Sequence, residues 1–277
     1  AAADKALLLN ATVEALAHYS RALPIALAGT DATLLGHLYV ARGRALELKS
    51  QFADADAVYA ELEELGRERG EPSLELAALI AQGTLRANVT PLRDAPAARV
   101  LMERALALAE ALDDRPAEVR ILWNLLNIDR FDIHNLPQSA VGGARALALA
   151  RELGLEEETA YLLNDLGEAL GSLGRMTEAH DMLAEAVQHW RALGNEPMLI
   201  DGLTGQANWA LFSGNLPNAR ALADEAYERS LRIDNPWSQA YSGGVSGLLY
   251  ALQGEVGAGL DRLHRSIARA EEAGFVG

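Results

Sequence analysis

YLLNDLGEALGSLGRMTEAHDMLAEAVQHWRALG, the stretch Tyr161–Gly194, decides the fold. It contains two runs of helix-forming residues separated by Gly174, and neither run alternates apolar and polar residues as a strand does. Gly167 in the first run and Ala179 in the second are small, whereas Leu183 is large. Two antiparallel helices joined by a tight turn approach closely only where side chains are small, and a large residue then fills the remaining space. The stretch therefore predicts a helical hairpin in which Gly174 takes a positive φ.

This hairpin pattern recurs along the chain with a period of 40 residues. Helix ends are expected at Leu153-Gly154, Leu193-Gly194, Ile233-Asp234 and Ala273-Gly274. The small residue of the first helix recurs as Gly43, Gly83, Gly167, Ala207 and Gly247, with Asn127 in its place in one unit. The register slips once, which predicts a lengthened turn over residues 88–94. Because one hairpin cannot bury its apolar face alone, neighbouring hairpins are expected to stack into a continuous core.

The same pattern places the individual helices. We predict an opening helix at residues 4–23, ended or kinked by Pro24, and then six helix pairs. The first helices are expected near 31–49, 72–88, 115–130, 156–173, 196–213 and 236–253, and the second helices near 52–69, 96–112, 137–153, 176–193, 216–233 and 256–273. Seven of the nine prolines mark these starts, mostly after an Asn or Asp that can cap the helix. The expected organisation is a single repeat domain over residues 1–277, with repeats at 31–70, 71–113, 114–154, 155–194, 195–234 and 235–274.

The composition argues against several classes of protein. The chain has 277 residues, no cysteine and a formal net charge of −15. Without cysteine there are no disulfides and no thiolate metal sites. The acidic balance disfavours nucleic acid as a partner, because binding phosphates requires a concentrated basic surface. No apolar run is long enough to span a membrane and no signal-peptide pattern is present, so we expect a cytoplasmic protein, and its two ends suggest a fragment of a longer chain.

The repeat resembles the tetratricopeptide family. Its signature of Leu, Gly, large, Ala, large and Ala is matched by Leu166, Gly167, Leu170, Ala179, Leu183 and Ala186. Trp123 occupies the family's Trp position in the preceding unit, whereas Arg191 stands where the family has proline. The period is that of the extended variant, of about 40 residues, in bacterial signalling ATPases and LuxR-type regulators. The resemblance implies an all-α fold, a right-handed superhelical α-solenoid of antiparallel helix pairs.

The sequence offers little that points to catalysis. There is no Gly-rich phosphate-binding loop of the Gly-x-x-x-x-Gly-Lys-Ser/Thr type. Asp129, Asp132 and His134 could form a metal or catalytic site, but a polar turn with Asn135 as helix cap is the favoured interpretation. The run Glu156-Glu157-Glu158 complements the dipole of a helix start. We therefore predict no catalytic, cofactor-binding or metal-binding residue and expect that the chain is not an enzyme.

The resemblance does imply a binding surface. In the family the first helices line an inner groove, and the inward positions here carry a ladder of neutral polar side chains. The candidate site residues are Asn124, Asn164, Glu168, Thr204, Asn208, Tyr161 and Tyr241, with Trp209, Phe212 and Trp237 as further aromatic residues beside them. Amide ladders can hydrogen-bond an extended peptide or a polar small molecule. They can equally form a solvated groove or bond between helices, and the sequence does not decide between these.

Three functional hypotheses follow. The first is an interaction scaffold, or the regulatory sensor arm of a larger bacterial signalling protein, that binds a protein, a peptide or a neighbouring domain in the groove. The alternative is a receptor for a small-molecule effector that controls an attached ATPase or transcription regulator. The third, an enzyme built on the Asp129, Asp132 and His134 cluster, requires chemistry that the fold alone does not supply.

Overall fold

The computed structural model describes residues 12–88, 90–130 and 134–272, and within these residues it contains thirteen α-helices and no β-strand. Within each of its two compact units, consecutive helices pack against one another. The chain divides into two compact units, Ala1–Phe131 and Asp132–Gly277.

The first unit contains six described helices. They are α1 (Thr12–Leu27), α2 (Ala32–Glu47), α3 (Phe52–Arg69), α4 (Pro72–Ala87), α5 (Ala95–Leu112) and α6 (Arg115–Asp129). First helices also contact each other, since α2 packs on α4 and α4 packs on α6. Two buried apolar clusters result, one around Tyr19, Tyr39 and Tyr59 and one around Met102 and Ile121.

The second unit contains seven described helices. They are α7 (Leu136–Leu153), α8 (Glu156–Ser172), α9 (Met176–Leu193), α10 (Glu196–Phe212), α11 (Leu216–Ser230), α12 (Pro236–Leu252) and α13 (Val256–Glu272). The pairs α8/α9, α10/α11 and α12/α13 are the predicted hairpins, and the first helices α8, α10 and α12 contact one another in order. The three first helices of this unit therefore form one face, which is called the first-helix face below.

Small residues permit the close helix contacts as predicted. A Cβ atom added at Gly167 would lie 2.8 Å from Leu183 Cγ, and one at Gly247 would lie 2.8 Å from Leu263 Cγ. At Gly83 the same added atom would lie 2.7 Å from Met102 Cε. The signature glycine thus faces the large residue of the second helix in three different pairs, which confirms the packing argument.

Local signals also set the helix ends. All seven predicted prolines lie in the first turn of a helix. Five of the predicted caps accept a backbone N–H: Asp94, Asp114, Asn195, Asn215 and Asn235. Asn135 stands at the cap of α7, but its side chain makes no capping hydrogen bond. Gly174 has a φ of 78°, as the hairpin requires.

Two predicted helix ends were wrong. Helix α1 does not end before Pro24 but continues to Leu27, and residues 4–11 of the predicted opening helix lie outside the described residues. Helix α11 ends at Ser230, before the predicted residue 233. Gln239 explains the early end, because its Nε2 donates to the carbonyl oxygens of Ser230 (3.2 Å) and Ile233 (2.8 Å) and so binds carbonyls that a longer helix leaves open.

The all-helical repeat fold expected from the sequence is confirmed in the described residues. The lengthened turn is also present, between the end of α4 at Ala87 and the start of α5 at Ala95. Among the described residues, no helix combines the length and the low polarity that crossing a bilayer requires.

Candidate binding face

The predicted site residues divide between the two units. Asn124 belongs to α6 of the first unit, where it is 5% exposed and its Nδ2 donates to the Arg120 carbonyl oxygen one turn earlier at 2.9 Å. The other six lie in the second unit, on α8, α10 and α12. Asn124 therefore uses its amide donor within its own helix.

Thr204 and Asn208 lie on α10 and differ in burial. Thr204 is fully buried, and its hydroxyl donates to the Ile200 carbonyl oxygen at 2.7 Å. Asn208, one turn further along, is half-buried. Of these two ladder positions, Asn208 is the one whose side chain reaches the protein surface.

A carboxylate links the three first helices of the second unit. Asn164 on α8 donates from Nδ2 to Asp201 Oδ2 on α10 at 3.1 Å. Trp237 on α12 donates from its indole Nε1 to the other oxygen of the same carboxylate, Asp201 Oδ1, at 3.2 Å. Asp201 is half-buried, whereas Trp237 is 45% exposed. The side chains of Asn164, Asp201 and Trp237 thus form a polar chain across α8, α10 and α12.

The Asn164 amide has a fixed orientation. Its Nδ2 also contacts Asp165 Oδ1 at 3.3 Å, so that exchanging its nitrogen and oxygen would place an acceptor against two carboxylates. The residue is 3% exposed, and its Oδ1 has no hydrogen-bond partner in the described part of the chain. A Cβ atom added at Gly202 would lie 3.4 Å from the same oxygen, which is ordinary van der Waals contact. A buried acceptor without a hydrogen-bond partner costs free energy.

Two aromatic pairs include residues of α8 and α12. Trp237 and Tyr241 lie 5.8 Å apart between ring centroids with their planes tilted by 32°. Tyr161 on α8 packs edge-on against Trp190 of α9 at 4.8 Å. Both tyrosines are half-buried. Of the two, Tyr241 lies next to an exposed indole, whereas Tyr161 packs on a fully buried one.

Glu168 adds a second carboxylate near α10. A Cβ atom added at Gly205 would overlap Glu168 Oε1, so the carboxylate packs directly over this glycine. Glu168 is half-buried. The structure therefore brings together α8 and α10 residues of the predicted site and adds Asp201, which the sequence interpretation missed.

The period of 40 residues contained a signal for Asp201. Tyr161, Asp201 and Tyr241 occupy equivalent positions in three successive repeats, and the two tyrosines are candidate site residues because they are aromatic. Because Asp201 is acidic where the other two repeats have tyrosine, a search for aromatic residues does not find it.

The Asp129, Asp132 and His134 cluster is only partly visible. Asp129 is buried and forms an ion pair with the Arg99 guanidinium, which stabilises the contact between α5 and α6. Asp132 lies outside the described residues. Among the described residues no group of three or more His, Asp or Glu side chains is placed to hold a metal ion.

The comparisons with known proteins bear on the fold. No protein-family model and no curated protein matches the sequence. Among solved structures, a Rap protein complexed with competence and sporulation factor matches with a TM-score of 0.73 and 14% identity, over 98% of this chain and 74% of that one. A signal transduction ATPase with numerous domains and a tetratricopeptide repeat sensor, from Pyrococcus horikoshii, matches with a TM-score of 0.72 and 14% identity, over 98% of this chain and 42% of that one.

A third solved structure, BtubC from P. vanneervenii, matches with a TM-score of 0.64 and 17% identity, over 80% of this chain and 92% of that one. Identities this low establish the fold and not the function. The helical repeat fold of the tetratricopeptide type, expected from residues 161–194, is thereby confirmed.

Proposed function

We propose that this chain is an interaction or sensor module that binds a segment of a protein or peptide along the first-helix face of the second unit. The observation that carries the proposal is the polar chain of Asn164, Asp201 and Trp237, which spans all three first helices. It ends in an indole that is 45% exposed. Exposed Trp and Tyr side chains beside buried polar groups are the residues that dominate binding energy in protein interfaces.

Two further facts support a polypeptide as the occupant. The first-helix face is about three helices wide, and helices pack roughly 8–10 Å apart, so it offers length as well as width to an extended segment. One structure of similar fold is a complex of a Rap protein with competence and sporulation factor. The alternative, a small-molecule effector, stays a prediction that no observation favours.

A peptide selection tests the proposal. Peptides from a random display library would be selected on the chain, and their affinities for variants measured by calorimetry. We expect Trp237→Ala and Asn164→Ala each to weaken binding by about tenfold or more. Trp237→Ala removes an aromatic contact, and Asn164→Ala removes a residue that holds Asp201.

Leu231→Ala provides the matched control. Leu231 is 59% exposed just after α11, a second helix, and should leave the affinity unchanged. If the selected peptides bind every first-helix variant as tightly as the unaltered chain, the proposed location is wrong.

A further inference from the structure

We infer that a water molecule binds in the interior between α8, α9 and α10, where it donates a hydrogen bond to Asn164 and accepts one from Trp190. The site lies inside the second unit, so the inference does not depend on what binds the first-helix face. Three observations carry it: two buried polar atoms without partners, a glycine that borders both side chains, and a hydroxyl group at the equivalent place of the next repeat.

The two partnerless atoms have opposite hydrogen-bonding character. Asn164 of α8 is 3% exposed, and its Oδ1 is an acceptor without a donor among the described residues. Trp190 of α9 is fully buried, and its indole Nε1 is a donor that the described residues leave without an acceptor. Buried polar groups that lack a protein partner are commonly satisfied by ordered water. Because a water molecule both donates and accepts, one molecule satisfies both atoms.

Gly202 of α10 borders both side chains. A Cβ atom built on this glycine would lie 3.4 Å from Asn164 Oδ1 and 3.6 Å from Trp190 Cδ1, the ring carbon that is bonded to Nε1. The third near neighbour is Val187 Cγ2, at 3.1 Å. The space that a methyl group would occupy is therefore bordered by the acceptor, the indole edge and one apolar side chain. These surroundings give a water molecule room and the two polar partners that it needs at least.

The next repeat has a hydroxyl oxygen at the equivalent place. Forty residues after Gly202 and Trp190 lie Ser242 of α12 and Ser230 of α11, and both serines are fully buried. Their hydroxyl oxygens lie 3.0 Å apart, and Ser242 Oγ also donates to the Ser238 carbonyl oxygen at 2.6 Å. In that repeat the residue at the glycine position thus supplies an oxygen to the residue at the tryptophan position.

The preceding repeat fills the same place with carbon. Forty residues before Gly202 and Trp190 lie Leu162 and Ala150, which are fully buried and apolar. Of the three repeats, the middle one alone has glycine at this position, and it is also the one with a partnerless donor and acceptor beside it. The missing side chain therefore coincides with the polar atoms that a water molecule satisfies.

The bound water has a structural role beside the first-helix face. It satisfies the Oδ1 of the same amide whose Nδ2 donates to Asp201 at 3.1 Å. Through this water, Trp190 of the second helix α9 is joined to the polar chain of Asn164, Asp201 and Trp237. The water therefore helps to fix the orientation of the Asn164 amide.

Nuclear magnetic resonance of the whole chain tests the inference. Isotope-labelled tryptophan gives four indole signals, one for each Trp of the chain. The Trp190 signal is identified by its contacts with Tyr161, whose ring centroid lies 4.8 Å away. We expect the Trp190 Hε1 proton to show a dipolar cross-peak to water, with the sign of a long-lived contact and not of hydrogen exchange. A Trp190 signal without this cross-peak overturns the inference, and the measurement requires no variant to fold.

Two substitutions at Gly202 separate a bound water from a simple packing contact. Gly202→Ala places a methyl group where the water binds, whereas Gly202→Ser also supplies a hydroxyl oxygen, as Ser242 does in the next repeat. Both should abolish the cross-peak. Because alanine leaves Asn164 and Trp190 without a partner, we expect Gly202→Ser to melt about 2 °C or more above Gly202→Ala. Helix propensity alone would give the opposite order.

Gly257→Ala is the matched control, because the same substitution on α13 meets no atom within 4 Å. It should leave the cross-peak unchanged. A cross-peak that persists in Gly202→Ala would show that the water lies elsewhere. A Gly202→Ala protein that melts at or above the temperature of Gly202→Ser would show that no hydroxyl is needed at this place. Either result overturns the inference and leaves the proposed function standing.

Discussion

At the scale of single residues, backbone contact decides which glycines can change. Gly259 of α13 is buried, and a Cβ atom there would lie 2.7 Å from Ala251 N and 2.7 Å from Gly247 O, both backbone atoms that cannot rotate away. Gly257, two residues earlier in the same helix, is exposed and has nothing within 4 Å of the same added atom. An added methyl group would therefore clash with backbone atoms at Gly259 and meet no other atom at Gly257.

We predict opposite signs for alanine at these two positions. Gly259→Ala should destabilise the chain by about 1–3 kcal/mol through overpacking. Gly257→Ala should stabilise it by up to about 1 kcal/mol, since Ala has the higher helix propensity. Urea unfolding curves of the two variants measure both values. A Gly259→Ala protein as stable as Gly257→Ala would contradict the contact distances.

The sequence pattern predicts this position only in part. Gly259 is equivalent to Ala179 and Ala219 in the two preceding repeats, so a small residue was expected there. That alanine would be too large could not be read from the pattern, because it depends on how closely α12 and α13 approach each other. The burial of Asn164 and Thr204 could not be predicted for the same reason, since the position of a residue on a helix does not give the distance to the next helix.

At the scale of elements, an arginine and tyrosine network joins the last three helices. Asp224 of α11 accepts from Arg220 Nε at 2.8 Å and from Arg262 Nη1 of α13 at 2.9 Å. Tyr250 of α12 lies between them, with the Arg220 and Arg262 guanidinium carbons 3.3 and 3.7 Å from its ring centroid. Burial alone would raise the pKa of Asp224, but the hydrogen bonds from Arg262 and Arg220 outweigh it and hold the pKa below its usual value.

This network predicts a dependence of stability on pH. A carboxyl group whose pKa is lower in the folded state stabilises the fold above its unfolded pKa, and the contribution is lost as pH falls through the folded pKa. Asp224→Asn should therefore destabilise the chain by about 1 kcal/mol at pH 7, a figure reduced because the side chain is 32% exposed and screened by solvent.

The difference between Asp224→Asn and the unaltered chain should shrink as pH falls below the ordinary Asp value of 3.8. Urea unfolding at several pH values measures it, with Asp261→Asn, an exposed change on α13, as control. A difference that stays constant down to acid pH would show that the Asp224 charge does not stabilise the network.

At the scale of the whole chain, the repeat determines the fold, and the polar chain of Asn164, Asp201 and Trp237 marks the face that we assign to binding. The number of helices, their order and most helix ends follow from the period of 40 residues. The single repeat domain over residues 1–277 stays a prediction, and the structure divides the chain into two compact units. The polar chain could not be predicted from the sequence alone. It depends on how closely α8, α10 and α12 contact one another.

The location of a bound peptide tests the central claim most directly. A selected peptide would carry a photoreactive benzophenone residue, and the cross-linked residues of the chain would be identified by mass spectrometry. We predict cross-links within Glu156–Ser172, Glu196–Phe212 and Pro236–Leu252, the three first helices of the second unit. Cross-links confined to the second helices α9, α11 and α13 would contradict the assignment of binding to the first-helix face.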